Sequence, residues 1–259
     1  MDIRHVFPGF QRTQNSAVDK DTQIVVPDYF NGDPVDPTVM ESGVRAFLSR
    51  FRYNWCLDSA IKEPFDFTSW KSRHGKEQTR PPLDKVINAL KDSGVTKFAA
   101  VGFCFGGTWI YILPMTAPAP GANPSIPSAR YVFDLAFDDM LKVSIVTHPS
   151  LLVVPDDLEV MTCPSKDFWV LSNDFCQKYR DTVKAPLLIN SCEVDHAFNQ
   201  DAQVAADKIL KDFGPGYSRE YFEGVSHGFT VRGDLNDPKV KEGRERAFKV
   251  TVEWLKKYL

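Results

Sequence analysis

No window of the chain approaches 18 consecutive apolar residues, so nothing in it reads as a membrane-spanning helix. The opening residues, MDIRHVFPGF, hold no apolar run of signal-peptide length. The five cysteines (Cys56, Cys104, Cys163, Cys176 and Cys192) form no Cys-x-x-Cys pair, which excludes a zinc knuckle and a thioredoxin-type motif. An odd number of thiols in a long chain reads as free cysteines in a reducing compartment, and the expected location is cytoplasmic. An excess of charge is also missing. With 31 Lys+Arg against 34 Asp+Glu the net charge is -3, too balanced for a nucleic-acid-binding or membrane-attracted surface. There is no internal repeat and no linker-like stretch. What is present is ordinary globular composition, 43% hydrophobic and 25% charged. A chain of 259 residues can bury about 70–75% of its unfolded surface without disulfide staples. A single α/β domain over residues 1–259 is the expectation.

Periodicity sorts much of the chain into alternating elements. Residues 1–22 are mostly polar, with no clear period. Ile24-Val25-Val26 is a short β-branched run that exits at Pro27 into a turn-rich segment with Asn31-Gly32. Residues 39–72 read as helical segments and loop. Leu83, Val86, Ile87 and Leu90 share one helical face from Pro82 onward, and Gly94 is a stop signal. Phe98 to Val101 reads as a central strand. Residues 108–129 hold too many prolines to be one helix. RYVFDLAFDDML is helical, Val143 to Val146 a strand, and residues 156–184 show only weak periodicity. Pro186 to Asn190 reads as a strand, Ala202, Ala205 and Ile209 mark a helix, and Tyr217 to Phe222 is another strand. Ala247, Val250 and Trp254, beside Phe248, Leu255 and Leu259, mark an amphipathic C-terminal helix. Strands alternating with helices predict a mostly parallel, doubly wound α/β sheet, whose chemistry sits at the carboxyl ends of the strands.

Three of those strand ends carry residues able to act in nucleophilic chemistry. Gly102-Phe103-Cys104-Phe105-Gly106 has the Gly-x-nucleophile-x-Gly form of a sharp strand-to-helix turn, with cysteine in place of serine. At such a turn the helix N-terminus favours a thiolate. The competing reading is a small buried cysteine in a tight turn. A thiol nucleophile needs a base, and the base needs an orienting acid. Asp195 in CEVD and His227 in GVSHGF supply them in the order nucleophile, acid, base. His196, beside the acid, ranks second as base. His148 ends a strand and either lines the pocket or caps the strand. Phe103 either walls an apolar pocket or packs the core. Cys192 reads as a buried strand thiol, and Cys163 and Cys176 as incidental.

VPDYFNGDP, VGFCFGG, SCEVDHAF and EGVSHGFTVRGD together resemble the dienelactone hydrolase family, particularly its fungal members. The likeness extends over most of residues 23–107, 130–159 and 184–259. It implies the α/β-hydrolase fold, here N-terminally shortened. It also implies hydrolysis of a lactone or small carboxylic ester through a Cys104–His227–Asp195 triad and a thioester acyl-enzyme, with no metal or organic cofactor. The backbone N–H of Phe105 becomes one oxyanion donor and that of Ile3 the second. Arg232 becomes a candidate for binding a substrate carboxylate. The expected partner is a small-molecule lactone or ester, aromatic-degradation lactones, fungal polyketide lactones and simple esters all fitting; oligomeric state is left open. Against the family frame, residues 108–129 and 160–180 read as insertions. The alternatives are a catalytically impaired or silent hydrolase-fold protein, a hydrolase of a fungal secondary-metabolite pathway, and a redox-sensing thiol protein.

Overall fold

The computed structural model describes residues 11–14, 23–33, 67–103, 111–112, 115–116, 129–149, 173–195 and 197–259. In chain order the elements begin with strands β1 (Gln11–Gln14) and β2 (Gln23–Val26), then helices α1 (Phe67–Arg73) and α2 (Lys76–Asp92). Strands β3 (Val95–Lys97), β4 (Ala99–Phe103), β5 (Tyr111–Ile112) and β6 (Met115–Thr116) follow. Helix α3 (Ala129–Phe137), strand β7 (Val143–Thr147), helix α4 (Asn173–Thr182) and strand β8 (Leu187–Val194) come next. Helix α5 (Gln200–Leu210), strand β9 (Tyr217–Ser226), the one-turn helix α6 (Phe229–Arg232) and helix α7 (Pro238–Tyr258) complete the chain.

The main sheet has the order β1-β2-β5-β4-β7-β8-β9. β4, β7, β8 and β9 are parallel neighbours, and β2 runs with them because both β2 and β4 oppose β5. This is the α/β-hydrolase architecture predicted from the sequence. The central strands read as near-continuous apolar runs because both of their faces are covered. Ala100, Val146 and Ile189 enter the larger core, with α2, α3, α4 and α5. Ala99, Val101, Val143, Ile145 and Leu188 point the other way, towards Leu255 of α7.

Several expectations shift. Residues 1–22 contain a strand after all: β1 pairs antiparallel with β2. Helix α2 starts six residues before Pro82 and carries Pro81 and Pro82 inside it. Beside the lost amide donors the helix is held by an internal pair, Arg80 Nε donating to Asp84 at 2.6 Å, and by a tertiary anchor, the Thr79 hydroxyl bonded to Tyr131. In the proline-rich stretch the described residues are the two short strands β5 and β6 and Ala129, where α3 begins. β5 lies between β2 and β4. The weakly periodic region yields α4, whose Tyr179 is buried against Phe133, Phe137 and Phe213.

Helix α5 forms where Ala202, Ala205 and Ile209 mark it; its buried face holds Ala202, Gln203, Ala206 and Leu210, with Ala205 and Ile209 half-buried beside them. A polar residue takes part in that face because its hydrogen bonds are met. Gln203 Nε2 donates to the carbonyls of Cys192 and Phe198, and its Oε1 accepts from Arg219. On α7 the buried residues are Gly243, Ala247, Val252 and Leu255, while Phe248 is 59% exposed. The helix crosses two surfaces, with Ala247 beside Val225 and Phe229 and its second half on the central strands. No helix among the described residues is long and apolar enough to cross a membrane.

Candidate active site

Asp195 and His227 leave adjacent parallel strands. The β8–β9 pairing ends with Val194 opposite Ser226, so the next residue on each strand is Asp195 and His227. The His227 N–H donates to the Val194 carbonyl at 2.9 Å, which locks the histidine loop to the end of β8. Gly228 then turns the chain into α6 at φ 92°, a left-handed conformation that favours glycine. A Cβ there would also meet the Arg232 side chain, which folds back over it.

Inside that frame Asp195 is held by several donors. Its Oδ1 accepts from the N–H groups of Ala197 (2.8 Å) and Phe198 (3.0 Å). Its Oδ2 accepts from His227 Nδ1 at 3.0 Å and from the Cys192 thiol at 3.5 Å. Both side chains of the Asp195–His227 pair are almost fully enclosed. Burial by itself would raise the Asp195 pKa. The hydrogen bond and electrostatic attraction of His227 and the two backbone amides outweigh it and hold the carboxyl below its ordinary value. Burial, with the Asp195 charge beside it, pushes the Cys192 thiol far up, so it is a donor to the acid and not a nucleophile.

The depressed carboxyl has a consequence for stability. A folded-state value below the unfolded one stabilises the protein above about pH 4, and this contribution disappears as pH falls through the folded value. The urea midpoint of the wild type is therefore expected to drop more steeply on acidification than that of Asp195→Asn. Parallel midpoint-against-pH curves for the two proteins would refute it.

His148 stands beside this pair. It follows β7 directly, and its N–H donates to the Asn190 carbonyl at 2.7 Å. It is fully buried, so any contact with substrate would need the ring to move. Its Nε2 lies 2.7 Å from Thr230 Oγ1, its ring packs edge-on against His227 with centroids 4.9 Å apart, and Phe103 and Phe229 flank it. Phe103 ends β4 opposite Thr147 and faces a cavity of about 310 Å³ under α7. Val101, Thr147, Thr230, Val231 and Leu255 share that cavity.

Of the residues singled out in the sequence, the fold brings Asp195, His227, His148 and Phe103 together at the carboxyl ends of β4, β7, β8 and β9. Arg232 ends α6 and is exposed. Cys104, Phe105, Ile3 and His196 lie outside the described residues, as do Cys56 and Cys163. β4 leads to the position immediately before Cys104. Sequence reasoning missed Thr230, which sits three residues after His227, and the thiol contact of Cys192 with the acid. The motif strings contained both residues, but only the packing shows what they touch.

Residues 130–259, half of the chain, match the dienelactone hydrolase family. The hydrolase tropI of Talaromyces stipitatus is 25% identical, the match spanning 99% of this chain and 78% of that one. The hydrolase pyvD of Aspergillus violaceofuscus is 23% identical across 91% of this chain and 69% of its own. A solved Klebsiella pneumoniae structure assigned to the dienelactone hydrolases superposes with a TM-score of 0.50 over 96% of this chain and 98% of that one, at 14% identity, a likeness of fold alone. The chain belongs to the dienelactone hydrolase family, as an α/β-hydrolase-fold enzyme that hydrolyses lactones or carboxylic esters.

Proposed function

We propose that Cys104, His227 and Asp195 act as nucleophile, base and acid, and that the enzyme cleaves a lactone or small ester through a thioester acyl-enzyme. The observation that carries this reading is the enclosed Asp195–His227 hydrogen bond at 3.0 Å. It leaves Nε2 of His227 as the nitrogen available to a nucleophile. The exit of β4 at Phe103, one residue before Cys104, supports it further.

His227 takes the thiol proton as the Cys104 sulfur bonds to the carbonyl carbon, and the carbonyl electron pair moves to oxygen. The N–H groups of Phe105 and Ile3 serve that oxyanion. Collapse breaks the C–O bond, and the leaving alkoxide takes the proton from the imidazolium. In a lactone the alcohol stays tethered to the acyl group. Water then attacks the thioester, its proton passing to His227 and on to the departing thiolate. The product is a hydroxy acid, or an acid and an alcohol. The cavity beside Phe103 takes an apolar part of the substrate, and Arg232 a carboxylate on it. The whole acts as one domain over residues 1–259, with 108–129 and 160–180 as insertions.

Cys104→Ala is expected to abolish turnover of an activated aryl ester and of a dienelactone. A mass increase equal to the acyl group, trapped in the wild type by rapid acid quench, is expected at Cys104 and absent from the variant. Full activity in Cys104→Ala would overturn the reading.

A further inference from the structure

We propose that His148, held by Thr230, is a positioning residue for His227: it sets the plane in which the base meets its nucleophile. The inference rests on the triad reading and adds two residues to it.

The case is geometric. His227 is tethered through Nδ1 to Asp195, which fixes one ring atom but leaves rotation about that hydrogen bond. The ring packed across it is His148, at 4.9 Å and an interplanar angle of 61°. That contact blocks the rotation. His148 itself cannot turn freely, because Nε2 is bonded to Thr230 Oγ1 at 2.7 Å and the ring is enclosed by Phe103 and Phe229. Thr230 stands in the first turn of α6, so the same short helix that follows His227 also anchors its brace.

The backbone adds a second observation. His148 has φ 37°, a left-handed conformation at a residue that carries a side chain. Such strain persists only where the surroundings over-determine it, and it concentrates at functional sites. The turn carries the ring from the end of β7 towards the loop that holds His227. Full burial makes His148 a poor substrate contact and a good wedge.

The left-handed turn also chooses the variant. Asparagine tolerates that conformation better than other non-glycine residues. His148→Asn therefore removes the ring while sparing the backbone, and its side chain is too short to keep both contacts. It is expected to lower kcat on an activated ester about 10- to 100-fold with KM within about threefold, the mark of lost alignment. Thr230→Val is expected to lower kcat about tenfold, and Thr230→Ser, which keeps the hydroxyl, to stay within about twofold of wild type. The imidazole ¹⁵N resonances of His227 are expected to move in Thr230→Val and not in Thr230→Ser, a readout independent of turnover.

A rise in KM at unchanged kcat in His148→Asn would make His148 a substrate contact and overturn the proposal. So would Thr230→Val and Thr230→Ser behaving alike in kcat and resonances. If His148→Asn does not fold, the Thr230 pair carries the test. Failure of the triad reading shows elsewhere, as activity retained in Cys104→Ala.

Discussion

Asp195→Asn is expected to lower kcat about 10³- to 10⁴-fold while KM changes by no more than a few fold. The carboxylate accepts from His227 Nδ1, and this places the imidazole lone pair on Nε2. An asparagine amide can turn its NH₂ towards Nδ1 instead. The ring then carries its proton on Nε2 and cannot accept one from a thiol. The backbone amides of Ala197 and Phe198 would still find an acceptor in the amide oxygen, so the loop is expected to keep its shape. Steady-state kinetics on an activated ester checks this, together with the alkylation rate of Cys104 near neutral pH. On the proposed triad that rate is expected to fall as well, because the imidazole could no longer accept the thiol proton. A variant within tenfold of wild type would remove Asp195 from the mechanism.

Tyr179→Ala is expected to destabilise the fold by about 3–5 kcal/mol, the range for deleting a large buried side chain. For a chain of this size that is a fall of roughly 6–20 °C in Tm. Tyr179 is 1% exposed and makes ring contacts with Phe133 and Phe137 of α3 and with Phe213, just past α5. Truncation would leave a cavity bounded by two rings of α3 and by Phe213 just past α5, which cannot all collapse into it. The phenol pKa is pushed far up by burial, so the neutral hydroxyl is the form that packs. Calorimetry on both proteins decides the point. A Tm within about 2 °C of wild type would show α4 to be a peripheral attachment rather than part of the core. The question matters because α4 begins inside the stretch that reads as an insertion, and its weak periodicity hides this anchor.

The legible parts share a physical basis. The first four residues of β4, all of β7 and the first six residues of β8 are buried, so their sequences hold the short apolar runs that announce them. Gly94 and Gly228 punctuate where left-handed backbone is needed, at φ 93° and 92°. The order of Cys104, Asp195 and His227 along the chain is visible because each follows a strand or a strand-like run. The less legible parts fail for equally specific reasons. β1 is polar and lies at the sheet edge, so it has no apolar signature. β5 is two residues long and owes its place between β2 and β4 to the neighbours that pair with it. The helix α5 is legible, but the burial of Gln203 on it is not, because that residue is buried by satisfying its hydrogen bonds, which no hydrophobic pattern registers.

Local chemistry alone marked the central strands, the turns and the candidate side chains Cys104, Asp195 and His227, because each of those signals depends on interactions within a few residues. Partnership needed the tertiary structure. Asp195 meets His227 across 32 positions and His148 meets Thr230 across 82. Distances of that kind are set by the register of parallel strands and by the turn each takes at its end, neither of which has a local signature.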